Sequence, residues 1–184
     1  MISCRCNFYS SQIVLTAIAT EILKRHEYNI VVQTQSNKLY GYALKFLRSS
    51  EDAEDIVQDV FEKLWINRKK VEVEKAKSWM FTTAHNAMLN LINKKQRTQF
   101  PGNENLPENS RKEVSVFESK QVVDRAVNIL PPIQKSIILL RDLEGYSYDE
   151  IGDILALSSS QVKVYLFRAR NKIRKQLKGL TELV

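Results

Sequence analysis

The pattern of apolar and polar positions is clearest between Ser147 and Lys178, where two amphipathic segments meet at a short break. Each begins with its own start signal. Ser147 precedes Glu150 by three positions and Ser158 precedes Gln161 by three, the spacing at which a serine and an acid or amide cap a helix reciprocally. Ala156-Leu157-Ser158 leaves room only for a tight turn, which predicts a helix-turn-helix. At 100° per residue Val162, Leu166, Ala169, Ile173 and Leu177 make one stripe facing the core. Ser160, Val164, Phe167, Arg168, Asn171, Lys175 and Lys178 fall opposite, flanked by Lys163, Arg170 and Arg174. No Asp or Glu lies between Ser158 and Lys178. A helix basic on its outer face suits a phosphate backbone, and Arg, Lys, Asn and Gln read base edges in a major groove. The bland alternative is a solvated basic helix, but that leaves the paired caps and the turn unexplained.

Upstream the same period predicts further helices. Val31, Leu39, Ala43, Phe46 and Leu47 recur at helical spacing to about Arg48. Ser49-Ser50-Glu51-Asp52 then opens a second helix, with acid in the first turn where the helix dipole favours it. Its core stripe is Ala53, Ile56, Val57, Val60, Phe61, Leu64 and Trp65, and Asp52, Asp55, Asp59 and Glu62 lie outside. A third helix is expected from Ser78 to about Lys95 on a stripe of Phe81, Ala84, Met88, Leu91 and Ile92. Trp79, Thr82, Asn86, Asn90, Asn93 and Arg97 stand on its far side. An aromatic with a row of amides suits stacking on, and hydrogen bonding to, unpaired bases. Packing within the domain is the competing reading for Trp79, and His85 reads as structural.

Pro101, Gly102 and Pro107 with several Asn, Glu and Ser break the pattern. The expected organisation is therefore an extension over residues 1–27, a domain over 28–97, a linker over 98–117 and a second domain over 118–180. Extended, the linker reaches on the order of 60 Å, or about 18 base pairs at roughly 3.4 Å each. Within the second domain a helix is expected over Gln121–Leu130, and another from Pro131-Pro132 through Leu143, closed by Gly145. In the extension only a short helix over Ile13–Lys24 suggests itself.

Composition adds direction. The net charge of +7 favours a polyanionic partner, so an acidic face on the helix 52–65 is out of place against DNA, and composition alone leaves it equally a solvated helix face or a docking surface for a basic protein. No apolar run approaches the 18 or so residues of a membrane span, and Ile13–Ala19 with Arg5 is too thin for a signal peptide. Cys4 and Cys6 are the only cysteines, and without further ligands nearby they predict no metal site, only thiols of a reduced, cytoplasmic protein. There is no phosphate-binding glycine loop, no HExxH and no nucleophile–base pairing. Neither an enzyme nor a cofactor is expected.

The stretches SEDAEDIVQDVFEKLW (50–65), KSWMFTTAHNAMLNLINKKQR (77–97) and LPPIQKSIILLRDLEGYSYDEIGDILALSSSQVKVYLFRARNKIRKQL (130–177) resemble regions two and four of bacterial RNA polymerase sigma factors of the sigma-70 family, extracytoplasmic-function (ECF) group. The resemblance implies an all-α chain of two small helical domains joined by a flexible linker, the second containing a helix-turn-helix. It implies that Asp52, Asp55, Gln58, Asp59 and Glu62 dock on the clamp helices of the largest subunit of core RNA polymerase. Arg68 and Lys69 of the loop to Lys77, with Trp79, Thr82, Asn86, Asn90, Asn93 and Arg97, would open and hold the minus-10 promoter element. Ser159, Ser160, Gln161, Lys163, Val164, Arg168, Asn171 and Lys175 on the Ser158–Lys175 helix would read the minus-35 element. An anti-sigma factor is an expected partner, and the free chain is expected to be monomeric. Ala156 stands where such turns often have Gly, Gly152 replaces a more usual Ala, and residues 1–27 match nothing in the family. The runner-up is a helix-turn-helix regulator that does not join the polymerase, its helix 52–65 serving self-association. A purely protein-binding helical adaptor leaves the basic helix without a purpose.

Overall fold

A computed structural model describes residues 22–99 and 119–181 of the chain. The expected helix over Ile13–Lys24 falls largely outside these residues, and Ile22–Lys24 are not helical. Cys4, Cys6 and nearly all of the linker also lie outside.

Helix α1 spans Arg25–Leu47, α2 Ser50–Asn67 and α3 Ala76–Gln99. Their cores follow the helical period: Leu39, Tyr42, Ala43 and Phe46 on α1, Ala53, Ile56, Val60 and Leu64 on α2, and Met80, Phe81, Ala84 and Met88 on α3 are buried. Each large side chain hidden in this way contributes about 1.5–3 kcal/mol. Arg48 ends α1 in the left-handed region at φ 63°. Ser49 then caps α2 by accepting from the Asp52 amide at 3.2 Å. The chain enters the domain earlier than position 28. Leu23 is buried, its amide bonds the Val71 carbonyl at 2.9 Å, and the Tyr28 hydroxyl donates to the Phe61 carbonyl at 3.1 Å. This pairing pins the loop between α2 and α3, which includes a single 3-10 turn over Val73–Lys75. At its other end α3 continues through Gln99, into the segment expected to be linker.

The second group of helices is α4 (Ser119–Asn128), α5 (Pro132–Ile138), α6 (Tyr148–Leu155) and α7 (Ser159–Thr181). Pro132 at the start of α5 loses no hydrogen bond there, because the first amides of a helix are unpaired in any case. The helix expected through Leu143 changes pitch on the way: after Ile138 the chain widens into a π-helical turn over Leu139–Leu143, and Gly145 closes it at φ 74°. Apolar periodicity does not distinguish the two pitches over a single turn. Both groups share one continuous buried core, in which the Phe81 and Tyr146 rings meet edge-on at 5.0 Å.

The helix-turn-helix follows its caps. Ser147 and Glu150 bond reciprocally, Oγ accepting from the Glu150 amide at 3.2 Å and Oε2 from the Ser147 amide at 2.8 Å. Ser158 and Gln161 do the same at 3.3 and 2.8 Å. The turn between α6 and α7 puts Ala156 at φ 54°. It also brings the Leu157 carbonyl so close that a Cβ on Gly152 would lie 2.6 Å from that oxygen. The two departures from the family pattern thus belong to one turn: Gly152 makes room for the returning backbone, and Ala156 bears the left-handed conformation that glycine adopts without penalty. Ala156→Gly is expected to stabilise the protein by up to about 1 kcal/mol, and Gly152→Ala to destabilise it by about 1–3 kcal/mol. Thermal unfolding followed by circular dichroism checks both signs.

Candidate nucleic-acid and polymerase interfaces

Three helical faces carry the candidate residues. On α7 the inner stripe is as expected, with Val162, Leu166 and Ala169 buried and Ile173 and Leu177 half-buried. Outside, Ser160, Gln161, Lys163, Val164, Arg168 and Lys175 are exposed, and Asn171 is half-buried. Not all of them are equally available. Gln161 is committed to the cap, and the Ser159 hydroxyl donates to the Asp149 carboxylate. The Arg170 guanidinium is paired with Asp142 at 2.6 Å. Phe167, which the period puts on this face, is 67% exposed beside Val164 at 47%. An exposed aromatic ring on a basic helix can make apolar contact with a thymine methyl. Phe167 belongs with the candidate set although composition-based reasoning about polar readers passes over it.

On α3 the amide row is open: Asn86, Asn90, Asn93 and Arg97 are exposed and spaced to share one stripe. Its N-terminal end is more occupied. Trp79 is half-buried and packs on the core, and Thr82 is half-buried with its hydroxyl donating to the Ser78 carbonyl at 2.8 Å. In the preceding loop Lys69 is exposed, whereas Arg68 lies over the Trp65 ring, 4.0 Å from its centroid, and donates to the Trp65 carbonyl at 2.8 Å. Lys77 is ion-paired with Glu150 of α6 at 3.1 Å.

On α2 Asp55, Gln58, Asp59 and Glu62 are exposed. Asp52 differs. Its carboxylate is bound by Lys95 of α3 at 2.5 Å, and that hydrogen bond holds it below the usual carboxylate range. Beside the acids runs a shallow groove in which Tyr40, Val57 and Phe61 lie between Glu54, Gln58 and Glu62. An apolar floor with acidic edges suits an amphipathic basic helix of a partner. Tyr40 comes from α1, so no motif in α2 announced it.

Among the described residues no group of three or more His, Cys, Asp or Glu is arranged to hold a metal. No described helix is long and apolar enough to cross a membrane.

Comparison with known proteins places the chain in a family. Residues 31–98 match the family Sigma-70 region 2, and residues 120–173 match Sigma-70, region 4. The ECF RNA polymerase sigma factor SigW of Bacillus subtilis is 26% identical over 82% of this chain and 88% of its own length. The ECF RNA polymerase sigma-E factor of Haemophilus influenzae is 28% identical over 83% and 88%. Among solved structures, the sigma factor RpoE of Bartonella quintana, in complex with the anti-sigma factor NepR, aligns with TM-score 0.69 at 24% identity, over 83% of this chain and 97% of that one. CnrH, in complex with the cytosolic domain of CnrY, aligns with TM-score 0.65 at 21% identity over 85% and 90%. The order of the two regions and the helix-turn-helix in the second define a transcription-initiation protein. The chain belongs to the sigma-70 family of RNA polymerase sigma factors, in its extracytoplasmic-function group. Sigma factors are not enzymes.

Proposed function

We propose that this sigma factor works in the cytoplasm through three separate faces, and that it directs the polymerase's chemistry while performing none itself. Asp55, Gln58, Asp59 and Glu62 of α2, with the Tyr40–Val57–Phe61 groove beside them, dock on the clamp helices of core polymerase. Asn86, Asn90, Asn93 and Arg97 of α3, with Lys69 in the loop before it, hold the opened minus-10 element. Val164, Phe167, Arg168 and Lys175 of α7, with Ser160, Lys163 and Asn171, read the minus-35 element. The observation that carries the reading is the coexistence of an exposed acidic helix and an exposed basic recognition helix in a chain of net charge +7. A regulator that only bound DNA would use the first for self-association, and an acidic face repels a second copy of itself. An anti-sigma factor is a fitting further partner, since the structural neighbour RpoE was solved with one, and the free chain is taken to be a monomer.

The test uses point variants against matched and scrambled duplexes. Arg168→Ala is expected to weaken the matched upstream element by about 1–3 kcal/mol, and Lys175→Ala to weaken all duplexes alike while lowering the salt slope by about one. Equal losses on both duplexes for Arg168→Ala would reduce it to a phosphate contact. A pull-down with core polymerase separates this reading from the regulator: a DNA-binding chain that leaves polymerase behind is not acting as a sigma factor.

A further inference from the structure

The chain is tied to the first domain ahead of the residues that match region 2, which begin at position 31. Ile22 forms an antiparallel bridge with Glu72, and the Leu23 amide donates to the Val71 carbonyl at 2.9 Å. Leu23 and Val71 are both buried and belong to the same core. At the start of α1 the Tyr28 ring meets Trp65 edge-on at 5.0 Å, while the Tyr28 hydroxyl donates to the Phe61 carbonyl at 3.1 Å. Trp65 in turn carries the Arg68 guanidinium, 4.0 Å from its ring centroid. Residues 22–28 thus hold both the end of α2 and the loop that follows it.

That loop, residues 68–75, has little else to fix its position. Among the described residues its remaining backbone bonds close over three residues, from Arg68 to Trp65, Lys70 to Asn67 and Lys75 to Glu72. Bonds of that kind curl a loop locally but do not seat it against distant parts of the chain. Its charges suit nucleic acid. Lys69 and Lys70 are exposed, and the Glu72 carboxylate, which would repel a phosphate, is paired with Lys75 at 2.6 Å. The loop leads straight into α3, whose Asn86 lies about 15 Å beyond Ala76 at 1.5 Å per residue. A nucleotide step is roughly 3.4 Å along a stacked strand, so the loop and the amide row reach different bases.

A pocket for an unpaired base discriminates only as well as its walls are held, because a loop free to repack admits a wrong base more readily. We propose that Ile22–Tyr28 brace the loop 68–75 as one wall of the minus-10 site, and that Leu23 and Tyr28 are positioning residues for base selection there. The brace rests on the role given above to Lys69 and its loop. It comes from outside the region shared with the family, so it sets base preference in this protein without any change in the α3 amides.

The test uses the full chain with core polymerase on promoters pre-melted over the minus-10 element, with each base of the element varied in turn. The lifetime of the competitor-resistant complex gives a ratio of best to worst base at every position. Leu23→Ala is expected to lower that ratio at least about fivefold at one position, and to leave it within about twofold at the position that responds to Asn86→Ala. Affinity for core and for the minus-35 duplex should also stay within about twofold. Leu23→Met, which conserves the buried volume, should retain the wild-type ratio. Tyr28→Phe removes one hydroxyl, keeps the ring on Trp65, and should lower the same ratio about two- to threefold. Wild-type ratios throughout from a folded Leu23→Ala protein, or an equal loss at every position, overturn the brace. If Leu23→Ala does not fold, Tyr28→Phe decides, and an unchanged ratio overturns the proposal. Lys69→Ala separates the two readings. Wild-type lifetimes and ratios from Lys69→Ala would overturn the loop's part in the minus-10 site. Lost discrimination with Lys69→Ala beside wild-type ratios with Leu23→Ala would overturn the brace alone.

Discussion

Replacing Asp55 and Asp59 together with lysine should lower the affinity for core polymerase ten- to hundredfold, about 1.4–2.7 kcal/mol, and leave binding of the minus-35 duplex unchanged. The two residues are one turn apart and exposed on α2, beside the groove formed by Tyr40, Val57 and Phe61. Each substitution removes an attraction for a basic partner and puts a like charge in its place, and like-charge juxtaposition across an interface is strongly disfavoured. Asp52 is the poorer choice, because Lys95 already holds its carboxylate, so reversing it would put two cations together inside the first domain. Asp59 does lose a pairing with Lys63 at 3.0 Å, but an exposed pair four residues apart on a helix contributes only about 0.3–0.5 kcal/mol. Native circular dichroism with lost assembly therefore separates docking from folding. Assembly at the wild-type level would remove the acidic face from the mechanism and return α2 to the role of a solvated helix.

What the sequence disclosed and what it hid divide along the distance over which residues interact. Ser147 with Glu150, and Ser158 with Gln161, cap their helices across three residues, so the pattern of letters contains the whole interaction. The stripes of α2 and α7 are legible for the same reason: burial on one side of a helix repeats every turn. The π-helical turn at Leu139–Leu143 was not legible, because a single widened turn leaves the apolar spacing nearly unchanged. Nor was the packing of α5 on the first domain. Ser136 meets Tyr42 across 94 positions and Lys135 meets the Phe46 carbonyl across 89, and a lysine and a serine in the middle of a short helix look like solvent-facing residues. The candidate site shows the same split. Asn86, Asn90 and Asn93 are on an open face as the period requires, whereas Arg68 and Trp79 are drawn back, one over the Trp65 ring and the other onto the core. Gly152 and Ala156 read as two unrelated departures from a family pattern until the turn placed the Leu157 carbonyl against one and a left-handed backbone on the other.

Strand opening puts the heaviest demand on α3, and Asn86→Ala is expected to impair it while leaving the closed complex nearly intact. Taking a base out of the stack costs a few kcal/mol, which a protein recovers by stacking and by hydrogen bonds to the base edge. Asn86 offers a donor and an acceptor together, is exposed, and stands at the upstream end of the open amide row. Loss of its edge contacts should reduce open-complex formation by about five- to 150-fold, the equivalent of about 1–3 kcal/mol for one base contact. A pre-melted promoter bubble should rescue the variant only in part, because melting is then supplied but holding the base is not. Trp79→Ala has a different expectation. Its indole is half-buried and packed on the core, so truncation should lower the stability of the first domain along with any stacking, and thermal unfolding of that variant tells the two losses apart. The decisive measurement is permanganate reactivity of promoter thymines with each protein bound to core polymerase. Wild-type reactivity from a well-folded Asn86→Ala protein would exclude this side chain from strand opening and move the base-holding role to Asn90, Asn93 and Arg97 further along the same stripe.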